Sequence, residues 1–328
     1  MDASAVFPTV PPKAGMYESF YLRAVAPEEP VGAWLRYTVH KRPGEAPKGS
    51  LWCTVFDAKR GRPFMHKLTS AALSAPAGGW IAIEQARLGP GHAEGGCGGA
   101  SWSLKFESDE RELRHLGSAW MYRARLPRTK LTSPAPDARF RGTIELPDRG
   151  PLALEGWRGM VGHNWGSEHA ERWIWLHGIG FAEDESAWLD LALGRIRIAG
   201  RRTPWVANGA LSLDGRRVRL GGLGRRGLSV SESAEGCELR VPGEGGAVIE
   251  ARVEVPADSA AGWRYADPDG SGHEVVNCSV AKLELDVTGT GAGAGAGRSL
   301  TSAHGGAYEL GMRAGERHGV QIAPFADG

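Results

Sequence analysis

The 328-residue chain reads as an all-β protein of antiparallel strands arranged in two consecutive units. Three observations predict this. Short stretches that alternate apolar and polar residues, or that are aromatic and β-branched, follow one another from Tyr17 almost to the C-terminus, with Gly, Pro and charged turns between them. No segment keeps a 3.6-residue period for more than about three turns, the best helical candidate being the highly charged Asp109 to Leu116. The length suits two domains, which together bury about three quarters of the unfolded surface. So many short strands need closure into barrels, or stacking, to hide their edges.

Taken in order, residues 1 to 14 form a loose arm, because Pro8, Pro11 and Pro12 deny it regular pairing. Tyr17 to Ala24, Ala33 to His40 and Leu51 to Asp57 follow at the spacing of a meander. Trp80 to Leu88, Ala100 to Glu107, Ser118 to Leu126 and Arg139 to Leu146 continue it, separated by the Gly-rich Gly89 to Gly99 and by Pro127 to Pro136. In the second half Ser186 to Leu193 alternates. Ala210 to Leu220 is a hairpin signal, since Asp214-Gly215 supplies the positive φ values of a type I′ turn. Leu228 to Ser233, Cys237 to Val241, Ala247 to Val255, Val275 to Val287 and Ala307 to Arg313 complete the series, with the Gly-Ala run Thr288 to Gly297 as a flexible tip or loop.

One stretch, Gly156 to Gly178, gathers four tryptophans, three histidines and two glutamates. Its glycines read as a sharp entry turn. From Arg172 one strand face carries Trp173, Trp175 and His177 and the other Ile174 and Leu176, so both faces are covered. His163, Glu168, His169 and His177 can move protons, and the indoles around them exclude water and stabilise cations. An acid in an aromatic-walled pocket suits protonation of an alkene or its reverse. Buried Trp and His satisfied by backbone partners are the competing explanation.

Glu18 shares its strand face with Phe20 and Leu22, an apolar neighbourhood for a carboxyl. The pair Tyr308-Glu309 faintly echoes Tyr17-Glu18 and agrees with two related barrels. Gly222-Leu223-Gly224-Arg225-Arg226-Gly227 matches a dinucleotide-binding fingerprint but leads into a strand, not a helix, and is read as a turn. His163, His169, His177 and Glu168 have metal-ligand types without the spacing of a known zinc signature, so hydrogen-bonded histidines are preferred and no metal is assigned.

The run Gly162-His163-Asn164-Trp165-Gly166, followed by Trp173-Ile174-Trp175, resembles the central signature of the AttH and CrtC-like superfamily, which includes the carotenoid 1,2-hydratases. Gly15 to Tyr21 resembles its opening Tyr-Glu strand. The resemblance covers the first half of the chain and implies a tandem of two lipocalin-like β-barrels, here 13–170 and 171–328, divided near Glu168 to Arg172. It differs at Gly162, where the hydratases carry Asp. The implied function is a cofactor-independent enzyme acting on a large apolar substrate (carotenoid, isoprenoid or polyketide-like) by acid-catalysed hydration or dehydration, isomerisation or cyclisation. A non-catalytic carrier of hydrophobic ligands is the alternative. The expected catalytic residues are His163, Glu18 and Glu168, and the expected substrate-binding residues Tyr17, Asn164, Trp165, His169, Trp173, Trp175 and His177.

A formal net charge of +1, with Arg and Lys scattered among acids, argues against nucleic acid as a partner. Cys53, Cys97, Cys237 and Cys278 lie far apart, as in reduced thiols of a cytoplasmic protein. There is no apolar stretch approaching the roughly 18 residues of a membrane span, although transient contact with a membrane surface is compatible with the composition.

Overall fold

A computed structural model describes residues 3–198, 200–289, 297–316 and 318–325. It is nearly all β and antiparallel, with short 3-10 turns at Phe7–Thr9, Ala119–Tyr122 and Glu244–Gly246 and no α-helix among the described residues. Met16 to Gly166 make a 12-stranded sheet and Arg172 to Arg313 a 10-stranded sheet. The first curls into a nearly closed barrel. In the second, a bridge between Leu220 and Gly243 ties an edge strand back toward the other side.

The two sheets repeat one wiring. In the first, the opening strand Met16–Val25 lies between Val31–Lys41 and Arg149–Gly166. In the second, Arg172–Gly178 lies between Trp188–Arg195 and Arg298–Arg313. Each includes a long hairpin, Thr129–Leu146 with Arg149–Gly166 and Gly272–Thr288 with Arg298–Arg313. By this wiring the counterpart of Tyr17-Glu18 lies in Arg172–Gly178. Tyr308-Glu309 sits on the closing strand, so the sequence echo joins two non-equivalent places.

Alternation of side chains assigns the faces. Phe20, Leu22 and Ala24 enter the first core, and Ile174 and Leu176 enter the second. The opposite faces of the same strands meet: Tyr21 and Met160 of the first sheet pack on Trp175 and Ala307 of the second. Trp34, Trp52 and Phe56 of the first sheet belong to the second core, where Trp52 meets Trp263 edge-on at 4.9 Å. A strand buried on both faces is what its unbroken aromatic and aliphatic run requires.

Several expected elements are corrected. Trp80 to Leu88 is a tight hairpin, Ile81–Ile83 with Ala86–Gly89, turning at Glu84 with φ 52°. The Gly-rich separator holds the strand His92–Cys97; Gly95 is needed there, because a Cβ would lie 2.7 Å from Trp102. As the lack of a sustained helical period implied, Asp109 to Leu116 forms no helix, its charges reaching across to the second sheet, as Glu110 does to Trp188 and Arg217. Ser118 to Leu126 is a 3-10 turn and loop rather than a strand, pinned by the Tyr122 hydroxyl, which accepts from the Leu116 N–H and donates to Leu131 O. Pro134 and Pro136 do not interrupt Thr129–Leu146, since they fall at its bulges, where the ladder needs no donor. The glycines from 156 to 166 make no entry turn. They lie in one continuous strand, and the chain turns at 167–171.

The hairpin at Asp214-Gly215 forms as expected, with φ of 51° and 70°. The glycine-rich Gly222 to Gly227 is a turn into the strand Ser229–Ser233. The Gly-Ala run lies at 290–296 outside the described residues. The four cysteines are buried and free.

Candidate functional site

Strand alternation splits the predicted residues between two places. Glu18, His163 and Trp165 face the first barrel's interior. The His163 ring is stacked between Phe20 at 3.9 Å and Trp165 at 4.5 Å, and its Nε2 is 2.8 Å from Glu18 Oε1. The remaining capacity of the Glu18 carboxyl is taken by the arm: Oε1 accepts from the Val6 N–H at 2.8 Å and Oε2 from the Phe7 N–H at 2.8 Å. Phe7 fills the core beside them, and Lys41 Nζ donates to Pro11 O, Pro12 O and Ala14 O. The apolar-lined carboxyl expected from the sequence is thus a docking point for the N-terminal segment. Glu168 does not join it, because that carboxylate is held by Arg128 and Arg313.

Tyr17, His169 and Trp173 face the junction between the sheets. His169 stacks on Tyr17 at 3.8 Å and on Trp173 at 5.4 Å. Its backbone N–H donates to Asp267 Oδ1 at 2.8 Å and its Nδ1 lies 2.7 Å from the same oxygen. That contact places the ring proton on Nδ1 and leaves Nε2 buried with no partner. Burial alone would raise Asp267, but the hydrogen bonds it accepts from His169 outweigh this and hold the carboxyl below the usual range. His273 Nδ1 lies 3.6 Å from the other oxygen. Burial brings His273 down to about 4.

Beside this dyad stands a second carboxyl. Glu309 accepts from Trp173 Nε1 at 2.9 Å, the Tyr265 hydroxyl at 2.9 Å and Asn277 Nδ2 at 3.2 Å. Trp173 fits because Gly311 faces it; a Cβ there would come within 2.1 Å of the indole. The Arg36 guanidinium lies 4.1 Å over the Tyr265 ring and donates from Nε to Ser19 Oγ at 2.7 Å. Its Nη1 is buried without a partner, as are Asn164 Oδ1 and Asn277 Oδ1. Buried polar atoms are ordinarily satisfied, so these orphans mark a place suited to a polar group of a ligand.

Trp175 and His177 face the same junction but hold it together. His177 Nε2 donates to Pro136 O at 2.9 Å, so Nδ1 accepts from Arg23 Nη1 at 2.8 Å. Burial first, and the Arg23 charge second, bring His177 down to about 3, which keeps it neutral. Trp175 Nε1 donates to Asp190, which Ser133 and His115 of the first sheet also reach. At Gly162 a Cβ would lie 2.2 Å from the Tyr21 ring. The Asp that the hydratases carry has no room there.

His169, Asp267 and His273 each present one ligating atom within 4.8 Å of the others, donor types that suit zinc or a similar transition metal. Two depressions lie elsewhere, about 430 Å³ near Asp57, Arg149 and Trp157, and about 340 Å³ near Leu51, Ile83 and Glu94. Trp165, Trp173 and Trp175 line neither. Asp267, His273, Tyr265, Glu309, Asn277 and Arg36 are not among the sequence-predicted residues. Each sits on a strand or loop that is ordinary in isolation; the Tyr308-Glu309 pair was the one visible signal.

No family model matches the chain. Two proteins of Mycobacterium tuberculosis, MT0513 and Rv0493c, known only as uncharacterized, are each 25% identical over 299 residues, covering 87% of this chain and 85% of theirs. Among solved structures the chain is similar to CghA with Sch210972 (TM-score 0.56, 14% identity, 91% of this chain and 88% of that one). It is also similar to an AttH candidate from Nitrosomonas europaea (0.54, 11%, 94% and 97%). Kievitone hydratase from Nectria haematococca gives 0.54 at 6% identity, over 95% and 93%. At these identities the likeness is one of fold, and it is the AttH-like fold that the first-half motifs resemble.

Proposed function

We propose that the protein is an enzyme that moves protons on an apolar substrate at the junction between its two sheets, without a cofactor, with His169 and Asp267 as the acid–base pair. The observation that carries this reading is the state of His169. One ring nitrogen is fixed by a buried carboxylate and the other is buried, unbonded and walled by Tyr17 and Trp173. An imidazole so oriented accepts a proton at Nε2 while Asp267 stabilises the cation that results, and returns it in the reverse step. The indole of Trp173 faces positive charge developing on the substrate. Glu309 fixes that indole and Tyr265 through their hydrogen bonds, and Arg36 Nη1 is available to a substrate oxygen. The reactions that fit are hydration or its reverse, isomerisation and cyclisation. That one protein of this fold is a kievitone hydratase and another is known with Sch210972 supports the class of chemistry.

Incubation with polyene, isoprenoid and polyketide-like compounds, read by mass spectrometry, tests it. Once a turned-over compound is found, His169→Gln and Asp267→Asn should each lower the rate by about a hundredfold to ten-thousandfold. Full turnover in both overturns the assignment. Binding without turnover of any compound supports the carrier instead. A second reading follows from the convergence of His169, Asp267 and His273: loss of turnover on chelation and its return with zinc would make these three metal ligands.

A further inference from the structure

The large apolar side chains that the described residues leave exposed are Trp120 at 63%, Leu126 at 56%, Ile198 at 55% and Leu223 at 73%. They come from three loops far apart in sequence, 117–128, 196–203 and 222–228. The register brings these loops to one end of the molecule. Thr129 and Tyr17 both pair with Gly166, Arg172 with Arg195, Gly194 with Val206, and Asn208 with Gly221. Side chains join the loops as well: Arg128 reaches Glu168, Arg197 reaches Glu171 at 2.5 Å, and Arg219 donates to His115 O at 3.1 Å.

The charge of the three loops themselves is one-sided, while the acids of this end, Glu45, Asp269, Glu168, Glu171 and Glu316, lie on other segments. The three loops contain no Asp or Glu. Arg123, Arg125, Arg201, Arg225 and Arg226 are exposed and make no ion pair among the described residues. A chain whose formal net charge is only +1 has therefore concentrated unpaired guanidinium groups around its exposed apolar tips. Tryptophan and leucine flanked by arginine suit the boundary between lipid headgroups and acyl chains, where the ring and aliphatic groups enter and the cations meet anionic phosphates.

We infer that this end docks on an anionic lipid surface. The junction residues Tyr17, His169 and Trp173 lie at the same end. Tyr17 pairs with Gly166 and its hydroxyl lies 2.7 Å from Thr129 Oγ1 beside the first loop, and His169 lies in the turn between the sheets. Docking in this orientation brings the half-buried edge of the junction to the membrane, from which an apolar compound enters without crossing water. The docking itself does not depend on the acid–base assignment, since it rests on the loops alone.

Co-sedimentation of the full chain with vesicles of phosphatidylglycerol and phosphatidylcholine in equal parts, and with phosphatidylcholine vesicles, measures it. The protein should pellet with the anionic vesicles, and less so as salt rises. Arg123→Gln, Arg125→Gln, Arg225→Gln and Arg226→Gln should each weaken binding by about fivefold, the effect expected of one basic residue near an anionic surface. Trp120→Ser with Leu223→Ser should weaken it with no change in circular dichroism. The inference fails if the protein stays in the supernatant, if both vesicle types bind alike, or if these variants bind as the unaltered chain does. A protein that ignores vesicles yet binds an acidic polypeptide through the same arginines would overturn the lipid assignment.

Discussion

Glu18 with His163 and Asp267 with His169 are both buried carboxyl–imidazole pairs at hydrogen-bond distance, 2.8 and 2.7 Å. They differ in what else the partners do. In the first barrel Glu18 spends its oxygens on the N–H groups of Val6 and Phe7, and the arm lies over the pair. At the junction Asp267 orients one nitrogen of His169 and the other has no partner. The first pair anchors the arm; the second keeps one nitrogen unbonded. A carboxyl–imidazole contact is therefore a catalytic candidate only when one nitrogen is left without a protein partner.

The largest expected effect breaks or upholds this contrast directly. His169→Gln should lower turnover by about a hundredfold to ten-thousandfold while His163→Gln changes it little, as steady-state rates would register. Equal losses would mean that the comparison is misdrawn.

Glu18→Ala should cost about 3 kcal/mol of stability, because it strands the Val6 and Phe7 N–H groups and His163 in a dry core. Urea unfolding measures this, and faster proteolysis near Phe7 should accompany it. If the variant is as stable as the parent, Glu18 is not the anchor of the arm.

Gly162→Asp introduces the hydratase residue. It should cost about 1–3 kcal/mol from overpacking against Tyr21 and confer no hydratase activity. A variant with unchanged melting temperature would show that Tyr21 yields, and that the two sheets are less tightly seated at Met160 and Trp175.

A further effect concerns acid. His177 and His273 are depressed to about 3 and about 4 in the folded chain, so the unfolded state binds more protons than the folded state below the ordinary value of 6.5. Stability is full above that pH and falls as pH drops toward those folded values, by about 1.4 kcal/mol per unit for each neutral histidine. Denaturation at stepped pH should show a weaker fall for His177→Gln. An identical slope would place the acid sensitivity elsewhere.

Much of the fold was legible in the sequence, because strand alternation and turn chemistry are local. Asp214-Gly215 demanded positive φ and formed the turn it predicted. The alternation of Trp173, Ile174, Trp175, Leu176 and His177 correctly implied two covered faces. Errors arose where a local signal had a distant cause. Pro134 and Pro136 looked like breaks but sit at bulges, and Gly95 looked like linker but makes room for Trp102.

By itself, then, the sequence determined that the chain would be β throughout, that Glu18 would share a face with Phe20, and that aromatic and imidazole groups would crowd around the turn between the sheets. Only tertiary structure decided which carboxyl each imidazole would meet. Asp267, His273 and Glu309 are about 90 residues or more from the central stretch, and nothing in their own segments distinguishes them from turn and strand residues. They reach Trp173 and His169 because two sheets press together along faces whose polar atoms find partners across the gap or remain unpaired. That matching depends on register and packing, which no local period records.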